Sequence, residues 1–245
     1  MMKYAQVWHR QISPISGKIL IFFCIIIFIL YQFFIFAQLR AKRFTRDAQA
    51  YLKKADGLGV GAQRLIVEQA ILYQRTIRLL RGAIEANPLD ASTYFDYAEF
   101  FNSKMGQDEQ LAKVLDLSIP GETTGEKNLS LVELARRNYV AALKLNPTNA
   151  IYHQRLGSIY EKLSNDVQAE GEFKKAVLLD SQNVSIHLYL TQYYLSRNKE
   201  SEFNYHLGRV VELYKLTLIG GGPMERLGNM VRQYLESIKQ EGLIK

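Results

Sequence analysis

Cysteine is nearly absent. Cys24 is the only one in 245 residues, so no intramolecular disulfide is available and the fold must stand on packing. Cys24 lies inside an apolar run, where a thiol acts as a small hydrophobe. Proline is also scarce, with five in the chain, and it cannot continue the hydrogen-bond ladder of a helix. No Gly-x-Ser-x-Gly, zinc signature or paired catalytic carboxylates are found, which argues against an enzyme and leaves no catalytic, cofactor or metal residue to name. Gly220, Gly221 and Gly222 imitate a phosphate cradle, but no strand precedes them and no Lys-Ser or Lys-Thr follows. Glycine after one helix and Pro223 opening the next explain the same letters.

Charge of one sign is missing from most of the chain. Residues 1–56 carry nine Lys or Arg against Asp47 and Asp56, whereas residues 57–245 carry 22 basic and 22 acidic residues. The net +7 is therefore confined to the N-terminal part. A nucleic-acid partner needs a basic face that displaces counterions, so the larger part of the chain argues against one.

What is present begins with Ile19 to Ala37, 19 residues without a charge and rich in Ile, Phe and Leu. A helix of about 20 such residues crosses the hydrocarbon layer. The segment 18–39 is read as a single-pass transmembrane helix behind a tail, 1–17. A cleaved signal peptide and a buried globular helix are the alternatives, the first usually shorter in its apolar core and the second normally showing a polar face. Tyr31 and Gln32 within the span can hydrogen-bond to another membrane subunit, or sit as a tolerated polar pair in a lone helix. Lys3, Arg10 and Lys18 precede the span, and Arg40, Lys42, Arg43, Arg46, Lys53 and Lys54 follow it. The larger number on the far side favours a cytoplasmic location for the rest of the chain; a short N-terminal tail kept inside would make it periplasmic or extracytoplasmic. Asn128-Leu129-Ser130 and Asn183-Val184-Ser185 fit a glycosylation triplet, which has meaning only in a secretory pathway.

Beyond the span, residues 40–62 read as a basic juxtamembrane helix ended by a Gly-rich hinge at Gly57, Gly59 and Gly61. From Gln63, the residues Ile66, Ala70, Tyr73, Ile77, Leu80 and Ile84 mark one face of a long helix that Asn87-Pro88 stops. Then a period sets in. Leu156, Gly157 and Tyr160 are followed by Ala169, Phe173 and Ala176, while Ala135, Tyr139, Ala142 and Pro147 stand 34 positions before Ala169, Phe173, Ala176 and Ser181. Tyr94, Tyr97, Ala98 and Phe101 repeat the first half, and Leu190, Thr191 and Tyr194 with Phe203, Leu207 and Val210 give a further copy. In that copy Thr191 and Phe203 occupy slots filled elsewhere by small residues, so looser helix contact is expected there.

This pattern resembles the tetratricopeptide repeat family, most closely over residues 130–181 and absent before residue 44. The resemblance implies an all-α chain: a transmembrane helix, then a helix-turn-helix solenoid over 63–218, then a capping helix over 219–245 marked by Met224, Leu227, Met230, Val231, Leu235 and Ile238. Pro88 and Pro147 are 59 apart, 25 more than one period, so an insertion is expected at about 106–128, with Leu111, Val114, Leu115 and Leu117 suggesting a short helix. Family members bind proteins, receiving a peptide or helix on the concave surface lined by the first helices. Carried over by position, that lining is Phe95, Glu99 and Asn102; Gln154, Ser158 and Glu161; Leu188, Gln192 and Leu195. The Lys and Asn clamp by which some members hold a terminal carboxylate has no counterpart at these positions. His153 and His187 occupy equivalent repeat positions, where packing is the expected role, and His206 has no partner legible in the sequence. The function this implies is a membrane-anchored scaffold that recruits or organises partner proteins, by analogy in cell-envelope or polysaccharide assembly. A structural subunit of a larger membrane complex and an accessory factor to a membrane enzyme are the other readings.

Overall fold

A computed structural model describes residues 14–58, 63–105 and 131–219, together with Glu236. The expected insertion at 106–128, the capping helix over 219–245 apart from Ile219 and Glu236, Gly59 and Gly61 of the hinge, and most of the N-terminal tail lie outside the described residues. Eight helices are described, with no strand among the described residues: α1 Pro14–Asp56, α2 Gln63–Ala86, α3 Ala91–Lys104, α4 Leu131–Leu145, α5 Ala150–Lys162, α6 Asp166–Leu179, α7 Val184–Ser196 and α8 Glu200–Ile219. The chain is all-α and divides into two compact units, Met1–Thr93 and Tyr94–Lys245.

In the first unit, α1 runs without a break from the apolar segment into the basic one. Phe22, Phe28, Leu30, Phe33 and Phe36 are all more than half exposed, and none of the most apolar window is covered by the fold. A core helix would be covered; this one is a candidate membrane span by length and composition. Farther along, Ala41, Ala48 and Ala55 recur every seventh residue and are almost wholly enclosed. This small-residue stripe lets α2 lie close alongside. The Gln69 side-chain amide donates to the Ala55 carbonyl at 3.0 Å and the Tyr73 hydroxyl to Asp56 at 2.7 Å, while Gly82, at the other end of α2, faces the Phe44 ring. The two helices are therefore antiparallel, and α1 ends where Gly57 closes back on the Lys53 carbonyl.

The second unit is built of helix pairs. Each turn is set by local chemistry that repeats every 34 residues. Asn149 and Asn183 cap α5 and α7, each side chain accepting two backbone N–H groups. Ser164 and Asn198 take left-handed conformations, φ 56° and 53°, at the ends of α5 and α7, where the chain must reverse within a few residues. A small residue marks the close approach in two of the first helices. A Cβ on Gly157 would lie 2.5 Å from the Phe173 ring, so α5 and α6 touch at the position that the repeat pattern marks. Ala98 is fully buried at the matching place in α3. Phe173, Ala169, Ala176, Ile186, Leu190, Tyr193 and Phe203 join in one core that runs through α6, α7 and α8, and Val184, Leu188, Val210 and Leu213 form a second, smaller cluster between α7 and α8. Thr191 replaces the small residue in α7 and is accommodated by turning its hydroxyl to the His187 carbonyl at 2.8 Å. Beside Phe203, a cleft of about 260 Å³ opens between Tyr194, Leu195, Lys199 and Asn204.

Candidate partner-binding face

The first helices of the pairs, α3, α5 and α7, are joined to one another by polar side chains. The Tyr139 hydroxyl, from α4, donates to Glu99 at 2.5 Å, and Arg155 Nε stands 3.1 Å from the same carboxylate without the angle of a hydrogen bond. Lys162 donates to Asn102 at 2.7 Å across 60 residues of sequence. One helix farther on, the Tyr189 hydroxyl donates to Glu161 at 2.6 Å, and Arg197 pairs with both Glu161 and Asp166 at 3.3 and 2.9 Å. The result is a ladder in which each cation already holds a carboxylate or amide. Ion pairs that remain partly open to solvent contribute on the order of 0–1 kcal/mol each, so the ion pairs of the ladder fix register more than they add stability.

Burial next to these carboxylates raises the phenols. Desolvation and then the Glu99 charge push Tyr139 well above its usual range, and desolvation and then the Glu161 hydrogen bond do the same to Tyr189. Tyr193 is pushed up to about 12, first by burial and then by Asp166. Tyr139 and Tyr189 therefore stay neutral donors near neutral pH.

Of the nine residues expected to line the concave surface, Glu99, Asn102 and Glu161 are members of this ladder, half-buried. Phe95 stacks on Tyr152 with ring centroids 4.5 Å apart. Gln192 is exposed and Leu195 half-buried. Gln154, Ser158 and Leu188 are enclosed, each 6% exposed; Ser158 turns its hydroxyl to the Arg155 carbonyl and Leu188 joins the α7–α8 core. Arg155 and Tyr189, absent from the sequence-derived lining, are 34 apart and each follows an enclosed residue by one position. A step of one residue turns a helix by about 100°. That equivalence was the signal available in the sequence.

Three histidines are placed in a regular way. Glu172 follows His153 by 19 residues, and His206 follows His187 by the same interval. His153 holds Glu172 at 2.6 Å and the Pro147 carbonyl at 2.9 Å. His187 holds His206 at 2.8 Å, Nδ1 to Nδ1, and the Ser181 carbonyl at 3.1 Å. Because a carbonyl only accepts, the His187 proton sits on Nε2, and His206 Nδ1–H donates to His187 Nδ1. The sequence left His206 without a partner; the structure corrects this, and the reason is the repeat itself, which puts position 206 where Glu172 stands in the preceding pair. Burial lowers both imidazoles, and His206, with His187 beside it, is pushed down to about 4. Among the described residues no group of three or more His, Cys, Asp or Glu is placed to hold a metal ion.

No protein-family model matches the chain. A protein O-mannosyl-transferase of Caenorhabditis elegans, F38B6.6, is 28% identical over 88 residues, which is 31% of this chain and only 13% of that protein. Among solved structures, the chain is similar to MamA from Desulfovibrio magneticus (TM-score 0.44, 15% identity, 72% of this chain and 96% of that one). It is also similar to pilF of Pseudomonas aeruginosa (TM-score 0.46, 12% identity, 83% and 92%) and to human IFIT1 with PPP-AAAA (TM-score 0.46, 16% identity, 75% and 41%). Likeness at this level says nothing about what the chain binds.

Proposed function

We propose that the chain is a membrane-anchored interaction scaffold that receives a peptide or helix of a partner protein along α3, α5 and α7, and that it catalyses nothing itself. The observation that carries the reading is the ladder. Three helices from successive pairs are held in register by side chains drawn from up to 60 residues apart, leaving Gln192 exposed and Leu195 and Phe95 half-exposed between them. Their cations are already paired with Glu99, Glu161 and Asp166. A partner of mixed apolar and neutral polar character fits such a surface better than an acidic tail does. Tethering by α1 would raise the effective concentration of any partner in the same membrane.

Cell-envelope or polysaccharide assembly is the setting we propose, with the ladder side cytoplasmic. Contact of Tyr31 and Gln32 with other membrane subunits belongs to the alternative, a stable structural subunit. The test is capture of partners from detergent-solubilised membranes with wild type and with Gln192→Arg/Leu195→Asp. A scaffold acting through this face loses a defined partner in the variant while its helical content and melting temperature are kept. Retention of every partner would refute the assignment of the face, and catalytic turnover by the isolated chain would refute the absence of an activity.

A further inference from the structure

The foot of the α1–α2 hairpin has the makings of a second binding surface. The stripe Ala41, Ala48 and Ala55 is covered by α2, which leaves the other side of α1 outside the hairpin. Lys42, Arg43 and Arg46 point there, and Arg40 lies over the Phe44 ring at 5.5 Å; all four are exposed. Because α1 is continuous through Asp56, their distance from the last residue of the apolar segment, Leu39, is fixed. At about 1.5 Å per residue, Arg40, Lys42, Arg43 and Arg46 stand roughly 2–10 Å beyond it, and Lys53 and Lys54 roughly 21–23 Å. The Debye length in physiological salt is about 8 Å. The first four cations therefore act within a screening length or so of the bilayer surface, and the distal two do not.

The acidic complement at this level is small. Asp47 lies 3.8 Å from Arg46, itself 78% exposed, the membrane-proximal turns of α2 offer Glu85 against Arg78 and Arg81, and Asp90, next to Leu89, turns its carboxylate to Ser92 and Thr93 at the start of α3. The antiparallel register set by Gln69 at Ala55 and Gly82 at Phe44 carries the end of α2 down to the level of Arg40. The turn that follows it presents Leu89, 72% exposed. An apolar side chain with four cations spread over the first roughly 10 Å beyond the apolar segment matches a lipid surface: a hydrocarbon edge below, negative head groups around it.

We infer that the foot of the hairpin binds anionic phospholipid head groups, through Arg40, Lys42, Arg43 and Arg46, with Leu89 entering the interface. The inference rests on α1 spanning the membrane, as in the proposed function. The surface selects the lipid around the anchor, a property that a bare hydrophobic helix lacks.

The experiment uses the full chain reconstituted into vesicles of equal parts phosphatidylcholine and phosphatidylglycerol, with spin-labelled versions of each lipid as probes. Wild type should retain labelled phosphatidylglycerol over phosphatidylcholine by about fivefold, the factor that one cation held at the surface supplies, and the preference should shrink as salt is raised. Arg40→Gln/Lys42→Gln/Arg43→Gln/Arg46→Gln should lose it, and Lys53→Gln/Lys54→Gln should keep it. Equal retention of the two lipids by wild type, or equal losses in the proximal and distal variants, would overturn the inference. Vesicle flotation and circular dichroism of each variant separate this from a failed anchor: a chain that does not float with lipid contradicts the span, whereas one that floats without lipid preference contradicts only the head-group site.

Discussion

Gly157 offers a measurement in which two physical effects oppose each other. In a helix interior, alanine is better than glycine by about 1 kcal/mol, so replacement at an open position should stabilise. At Gly157 a Cβ would stand 2.5, 2.6 and 3.1 Å from three atoms of the Phe173 ring, and ordinary contact requires the ring to retreat by about 1 Å. It has nowhere to go. Phe173 is 1% exposed and its ring is held by Tyr189 and Tyr193, with centroids 5.4 and 4.9 Å away. Overpacking of this kind costs about 1–3 kcal/mol, which offsets or outweighs the helix gain and leaves Gly157→Ala less stable by up to roughly 2 kcal/mol. Gly171 in α6 and Gly208 in α8 are controls, since a Cβ at either meets nothing within 4 Å. Gly171→Ala and Gly208→Ala should each stabilise by about 0.5–1 kcal/mol. Thermal unfolding of the detergent-solubilised chain, followed by far-UV circular dichroism, reads these as shifts of roughly 2–4 °C per kcal/mol, downward for the first and upward for the others. If Gly157→Ala raises the melting temperature alongside the controls, the close approach of α5 and α6 is not as described.

Acid should loosen the α7–α8 pair. His187 and His206 are both lowered by burial, His206 to about 4, among Tyr194, Tyr205, Arg209 and Asp180. A depressed histidine contributes stability that is full above its unfolded value near 6.5 and fades as the pH falls toward about 4, by up to roughly 3 kcal/mol. Urea midpoints measured across that window should fall with pH, and His206→Phe should flatten the slope; a pH-independent midpoint would contradict the buried pair. Ser164 holds φ 56°, where glycine is unstrained, so Ser164→Gly should stabilise by about 0.5–1 kcal/mol in the same melts, and a loss would argue against the left-handed turn. Tyr139→Phe removes the hydroxyl that meets Glu99 and should cost about 1.5–3 kcal/mol, the range for a hydrogen bond to a charged group; an unchanged melting temperature would place Tyr139 outside the ladder.

The period of 34 residues carried most of the repeat architecture into the sequence. Ala135, Ala169, Tyr139 and Phe173 are buried as their spacing requires, and Gly157 is where two helices touch. The same period also contained the Asn149 and Asn183 caps and the Ser164 and Asn198 turns, yet short polar residues announce themselves less than aromatics do, and their role appears only with backbone angles. The site was less legible. Which side of a first helix faces outward depends on how neighbouring pairs rotate on one another, which no single helix encodes. Hence Gln154, Ser158 and Leu188 are enclosed while Arg155 and Tyr189, one position along, join the ladder. The His187–His206 contact was hidden for a related reason, being a pairing across two helices at an interval of 19 that is legible only once His153 and Glu172 are seen as its counterpart.

The central claim is that first helices of successive pairs lie side by side, and Asn102 with Lys162 tests it most directly, since they meet at 2.7 Å across 60 residues of sequence. With Cys24→Ala as background, Asn102→Cys/Lys162→Cys should be closed within one chain by a short bismaleimide in the folded protein, and not after unfolding in urea. The control Asn102→Cys/Asn204→Cys, with its second site on α8, should remain open. Failure of the first pair to close, or equal closure of both, would contradict the stacked arrangement on which the proposed docking face depends.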